Sequence, residues 1–230
     1  MDRSRAFGDA SAECDWSLTK GAHTLMRVTL SALSQALAPH HLIALGHAQH
    51  ADGTLVLIGP DEPTFWDHFT QSAEYTDGQA HALDRWSTRV LPPIAQDLEG
   101  EVYFPFGGPP YHPFQSWALE TGRFFTSPIG FLVHETRGLF ASFRGAVLLP
   151  ETVSASPGQN PCSPCAAPCK TACPVGAFAD GYNVAACKAH INSPAGRDCI
   201  TDGCRARRAC PVYQGNRPPA QAQFHMEAFR

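Results

Sequence analysis

Apolar positions recur on two different periods along the first 150 residues. Between Leu18 and Leu37 they fall at helical spacing (Leu18, Ala22, Leu25, Met26, Leu33, Leu37), and Pro39 stops the pattern. Two short, unbroken apolar runs follow, His41–Gly46 and Thr54–Gly59 (TLVLIG), each bounded by turn residues. Runs of that length predict buried strands. Ala80–Leu98 returns to a helical period, with an interruption predicted at Pro92–Pro93, where two backbone N–H donors are missing. Ile129–His134, Leu139–Phe143 and Ala146–Leu149 predict further strands joined by turns at Gly138 and Gly145. The expectation for residues 1–150 is a mixed α/β domain.

The patterning fails after that. Glu151–Pro161 (ETVSASPGQNP) is small, polar and broken by proline, and reads as a linker. Beyond it the large aliphatics Val175, Ile191, Ile200 and Val212 are isolated, too few to build an apolar core. Cysteines take their place. Of nine in the chain, only Cys14 precedes the linker; Cys162, Cys165, Cys169, Cys173, Cys187, Cys199, Cys204 and Cys210 all follow it. No apolar run approaches the length of a membrane span. The opening MDRSRAFGDASAECDW has no continuous apolar stretch of the kind a secretory signal needs, so a cytoplasmic protein is expected. Reduced thiols there favour metal or catalysis over disulfides. Cys14 is expected to be an unliganded thiol.

The first cysteine group reads Cys162-Ser-Pro-Cys165-Ala-Ala-Pro-Cys169-Lys-Thr-Ala-Cys173-Pro174. Close spacings let one turning loop deliver three thiolates to a single inorganic body. A fourth cysteine followed by proline lies past the turn and serves a second cluster. Val175–Phe178 would then wall the site. The second group is looser, Cys187, Cys199, Cys204 and Cys210-Pro211, and Cys-Pro-Val at 173–175 recurs at 210–212. That echo implies pseudo-symmetric halves exchanging their Cys-Pro cysteines. Cys162, Cys165, Cys169 and Cys210 would hold one cluster; Cys173, Cys187, Cys199 and Cys204 would hold the other. Structural zinc prefers paired C-x2-C knuckles a dozen or more residues apart, which this run fits poorly. Two clusters, one cluster, and zinc or no metal stay open as alternatives, in that order.

At these residues the chain resembles the bacterial two-cluster ferredoxins. CPVGAFADGYNVAACKAHI (173–191) also resembles the ferredoxin portion of the epoxyqueuosine reductase family, and SPIGFLVHETRGLFASFRGAVL (127–148) is similar to the strand pair that ends that family's N-terminal domain. The resemblance implies an α+β protein: a mixed α/β domain over 1–150, similar to a corrinoid-binding one, and over 151–230 a linker, a small ferredoxin-like domain with two [4Fe–4S] clusters, and a tail. Two features depart from the family. Three residues separate Cys165 from Cys169 where two are usual, and the second group offers C-x4-C-x5-C-P in place of the compact C-x2-C-x3-C-P.

Charge and aromatic patterning add detail. Residues 1–160 hold nine Lys/Arg against 17 Asp/Glu, whereas residues 161–230 hold eight against four. A basic tail commonly signals nucleic acid. Here two oxidised clusters, each of about −2 with its thiolates, offset the excess, so Arg205, Arg207 and Arg208 are expected to neutralise cluster charge and no nucleic-acid partner is expected. Phe104–Gln115 (FPFGGPPYHPFQ) combines aromatics with Gly and Pro, and Tyr111, His112 and Gln115 supply polar tips. These three are the candidate cofactor-binding residues, for a planar corrinoid or flavin; a rigid loop packed on the sheet is the alternative. His40, His41, His47 and His50 have no nearby cysteine to complete a zinc pattern, and are expected at the surface or at strand ends. No nucleotide-binding or hydrolase motif is present.

Three functions follow from this reading. The first is electron transfer to a redox partner protein. The second is a reductase similar to the epoxyqueuosine and corrinoid-processing enzymes, an iron–sulfur oxidoreductase in which the clusters reduce a cofactor or substrate held by the N-terminal domain. The third is a structural or sensing scaffold. Because no corrinoid-domain catalytic acid is identifiable, electron transfer leads.

Overall fold

The computed structural model describes residues 29–62, 64–212 and 217–230. Part of the first helical stripe (18–28) and Cys14 lie outside them. The fold is mixed α+β. In chain order, α1 occupies residues 29–37 and runs into a 3-10 turn; β1 is Leu42–His50, β2 Gly53–Pro60, α2 Phe65–Thr70, α3 Ala73–Thr76 and α4 Ala82–Asp97. β3 (Glu101–Tyr103), α5 (Phe114–Glu120), β4 (Phe124–Thr126), β5 (Leu132–His134) and β6 (Gly145–Leu149) complete the body. The tail carries α6 (Val184–Ile191), α7 (Arg197–Asp202), α8 (Arg205–Arg208) and α9 (Pro219–Phe229).

One antiparallel sheet, ordered β1-β2-β6-β3, organises the body; β4 and β5 form a separate pair. β2 and β6 lie in the middle of that sheet, in register Leu55↔Leu148, Val56↔Val147 and Leu57↔Ala146. Every residue of both strands is buried, which explains why they read as continuous apolar runs rather than alternating ones. Val56, Ile58, Val147 and Leu149 face a core built with Leu33, Leu37, Phe65, Phe69, Trp86 and Leu91. Leu55, Leu57, Ala146 and Leu148 face the opposite way, onto Phe114, Ala118 and Phe124.

Several expectations need correction. Gly145 is not a turn but opens β6, paired with Ile58, and the strand expected from Ile129 begins only at Leu132. α4 passes through Pro92 and Pro93 without interruption. Its buried stripe, Leu83, Trp86, Val90, Leu91 and Ile94, anchors the helix on both sides of the prolines, and Pro93 faces water, where solvent can satisfy the carbonyls that lose their partners. Leu139–Phe143 is not a strand. The chain turns back at once after β5, through reciprocal bonds between His134 and Gly138 (2.9 Å each), and 139–143 crosses as a loop to β6. Leu139 is buried all the same, against the tail rather than in a sheet.

The expected linker is docked. Thr54 Oγ1 donates to the Glu151 carbonyl at 2.6 Å and accepts from Val153 N–H at 2.7 Å, and Gly158 N–H bonds Gly122 O at 2.8 Å. The tail does not stand alone either: Ile129, Val133 and Leu139 of the body share a core with Cys169, Phe178, Ala206 and Cys210. Ile191 and Ile200 meet around Cys199, closed over by Met226 and Phe229 of α9. None of the described helices is long and apolar enough to cross a membrane.

Candidate metal centre and adjoining cavity

Short turns and single helical turns deliver the cysteines. Cys162 and Cys165 sit on one turn, closed by Cys165 N–H on Cys162 O at 3.2 Å. Ala167 then bends the chain through the left-handed region (φ 54°), rare for a residue with a Cβ and costing about 1–2 kcal/mol. It lies within the three-residue interval that departs from the family spacing, and its N–H donates to Cys165 Sγ at 3.3 Å. Pro168–Lys170 forms a 3-10 turn that buries Cys169. After Cys173, Gly176 at φ 60° closes a turn onto Cys173 O, which lets Ala177 N–H reach Cys173 Sγ at 3.4 Å. Cys187 rides on α6, whose first turn is capped by Asn183 Oδ1 accepting from Ala186 N–H at 2.9 Å. Cys199 lies on α7, Cys204 caps α8 and Cys210 follows it.

The tail's eight cysteines are all free thiols. α8 packs on the Pro168–Lys170 turn and so carries Cys210 to the first group. Burial pushes the Cys162 thiol up, and the charges of Cys210, Cys165 and Cys169 push it further; Cys169 is raised by burial and by Cys210 and Cys165. Four thiols therefore act on one another there. Burial also raises Cys199, which feels Cys204. Tyr182 is raised by burial and by its hydrogen bond to Cys187, and it also feels Cys204. Cys173 packs in the apolar cluster that holds Cys162 and Cys204.

Among the described residues, no group of three or more His, Cys, Asp or Glu side chains is placed to hold a single metal ion. An ion such as zinc is bound at about 2.0–2.3 Å by each ligand, which forces its ligands almost into contact. A four-iron cube stands between its thiolates and keeps them wider apart. Cys162, Cys165, Cys169 and Cys210 offer donors of the kind such a body takes: four neighbouring thiols, half-buried or buried, with the Ala167 N–H aimed at Cys165 Sγ. Cys173, Cys187, Cys199 and Cys204 make a second set, spread over a turn and three helices.

The surroundings differ from the sequence reading at several points. Of the apolar wall, Ala177 and Phe178 are buried, but Val175 is exposed. Arg205 and Arg208 are both spent on Asp198, at 2.5 and 2.7 Å. Arg207 lies over the Phe131 ring, 5.1 Å from its centroid. The histidines keep to the expectation in part: none of the four is buried, His50 ends β1, and His40 and His41 precede that strand beside His68, with ring centroids 6.3 and 4.8 Å from that of His68. His47 meets Ser154 O at 3.1 Å, and His50 lies 3.6 Å from Asp52.

A cavity of about 1040 Å³ opens between body and tail. Cys187, Cys204, Phe178 and Tyr182 border it on the tail side, His112, Gln115 and Phe131 on the body side, and His225 and Phe229 from α9. His112 and Gln115 thus reach it, with His112 stacked on Trp117 at 5.7 Å. Tyr111 does not line it, and is 66% exposed. Sequence reasoning missed Phe131, Arg217 and all of α9. A signal for α9 existed: Ala222, His225, Met226 and Phe229 follow the i, i+3, i+4, i+7 pattern of one helix face, and all four line the cavity.

Compared with known proteins, the chain matches no family model and no curated protein.

Proposed function

We propose that the protein is an iron–sulfur electron carrier that binds two [4Fe–4S] clusters, one on Cys162, Cys165, Cys169 and Cys210 and one on Cys173, Cys187, Cys199 and Cys204. The observation that carries this reading is the convergence of Cys210 with the first three cysteines, through the packing of α8 on their loop. The residue is the one that the Cys-Pro echo assigns across the two halves. Bound clusters would supply one-electron storage and transfer at a potential set by their surroundings. The chain's own part is to keep Cys169, Cys199 and Cys210 buried, to direct the N–H groups of Ala167 and Ala177 at sulfur, and to exclude water with Phe178 and Tyr182. On this reading residues 1–150 form a mixed α/β domain and 151–230 a ferredoxin-like module docked on it, working in the cytoplasm with a redox partner protein.

A second reading is favoured by the cavity. Because Cys187 and Cys204 border the same space as His112 and Gln115, a molecule held there would lie against the second cluster's ligands. The protein is then a reductase, in the manner of the epoxyqueuosine reductase family that its cysteine motifs resemble.

Anaerobically purified protein is expected to be brown, with visible absorption bleached by dithionite. Cys210→Ser is expected to lose part of that absorption, and Cys14→Ser none. A colourless protein, or a Cys210→Ser variant with the full spectrum, rejects the assignment.

A further inference from the structure

Three arginines gather at the cavity wall, and two of them have a carboxylate nearby. Among the described residues no Asp or Glu lines the space, whereas Arg207 and Arg217 do. Arg217 has a carboxylate of its own, Glu62, at 2.6 Å. Arg207 rests on the Phe131 ring, and among the described residues no hydrogen bond or ion pair holds its guanidinium. Behind the wall, Arg144 keeps Nε and Nη1 buried without a hydrogen-bond partner, its nearest carboxylate being Asp84 at 3.7 Å. His225, on the cavity face of α9, registers the sum. Burial pushes it down to about 3, helped by the charges of Arg217, Arg144 and Arg207. Three guanidinium groups therefore act on one stretch of wall, and His225 stays neutral beside them.

The rest of the lining is aromatic. Phe178 and Tyr182 stack at 4.9 Å, and both meet Phe131 edge-on at 5.2 and 5.1 Å. An apolar space of this size with a few convergent polar groups is the usual form of a small-molecule site. An arginine in such a space with no carboxylate of its own, as Arg207 is among the described residues, favours an oxyanion, because guanidinium donors recognise carboxylate and phosphate in the same planar geometry.

We propose that the cavity binds a small oxyanion carried on a planar aromatic body, with Arg207 receiving the anionic group and Phe131, Phe178 and Tyr182 enclosing the ring. The proposal rests on the second reading above, in which a reactant is held beside the cluster cysteines.

The test is calorimetric titration of the anaerobically purified protein with 2-naphthoate, 2-naphthyl phosphate and 2-naphthamide, with iron measured on the same sample. At least one of the anions is expected to bind about tenfold more tightly than the neutral amide, equivalent to about 1.4 kcal/mol. The tighter of the two names the oxyanion. Arg207→Gln is expected to weaken anion binding about tenfold more than amide binding and so to remove that preference. Equal binding of anion and amide, or no binding, overturns the proposal. So does an Arg207→Gln variant that loses iron and keeps the preference, since its guanidinium would then serve the cluster. Should that variant not fold, the wild-type preference decides alone. Full iron with no preference for anions ends the proposal and leaves the cluster reading standing. Anion preference in protein that never contains iron supports the proposal and ends the cluster reading.

Discussion

Glu62, just past the end of β2, and Arg217, just before α9, form an ion pair across 155 residues of chain, with Arg217 Nε donating to Glu62 Oε2 at 2.8 Å and Nη2 to Oε1 at 2.6 Å. Both side chains are nearly buried, 6% and 12% exposed. Gln221 Nε2 adds a bond to Glu62 Oε1 at 3.1 Å, and Arg217 Nη2 donates to Phe140 O at 2.8 Å. This is the polar clamp that fastens α9, and with it one wall of the cavity, to the body.

Glu62→Gln keeps the shape and removes the charge. It leaves Arg217 buried beside Arg144 and Arg207 without a counter-ion, and loss of one partner from a buried pair costs about 3–5 kcal/mol. The variant is expected to unfold at a correspondingly lower urea concentration, measured by far-ultraviolet circular dichroism. An unchanged midpoint would show that α9 is held by its apolar contacts alone.

The run of α4 through two prolines predicts an unusual gain. Pro93 faces solvent and leaves the Arg89 carbonyl without its helical N–H. Alanine there restores the bond and raises helix propensity, while the unfolded chain gains back about 0.4–1 kcal/mol of conformational freedom. Pro93→Ala is expected to stabilise the protein by about 1–2 kcal/mol net, read from the thermal or urea midpoint. A loss of stability would mean that the proline's own contacts outweigh the missing bond.

Those prolines also mark where the sequence was hard to read. A proline pair argues locally for a break, yet the buried stripe Leu83, Trp86, Val90, Leu91 and Ile94 overrides it, and only the packed structure decides which wins. β2 and β6 were legible because both faces of each are covered, so that burial alone writes them as unbroken apolar runs. Leu139–Phe143 looked the same for a different reason: Leu139 is buried against the tail, and half-buried Ala141 and Phe143 pack against the sheet. The nearness of Cys210 to Cys162 and Cys169 agrees with the Cys-Pro repeat, and a shared cluster is the proposal built on it. The cavity was legible only through His112 and Gln115. Arg217 and His225 come from the far end of the chain, and no local pattern says that α9 folds back over Cys199.

A pH effect follows from Glu74 and Arg89. Arg89 donates to both carboxylate oxygens, at 2.5 and 3.0 Å, and this holds Glu74 below its ordinary value of 4.5. The folded protein thus binds that proton more weakly than the unfolded chain does. The contribution is complete above the unfolded value and is lost as pH falls through the depressed folded one. Urea midpoints of the native protein are expected to drop further on acidification than those of Glu74→Gln, with the two curves converging at low pH. Parallel curves throughout would remove the ion pair from the account.

The central claim is that the tail's thiols surround inorganic cubes rather than zinc or one another. Iron and acid-labile sulfide, counted per chain on protein purified without oxygen, test it most directly. The account predicts about eight of each. Protein free of iron, or zinc without sulfide, would contradict it.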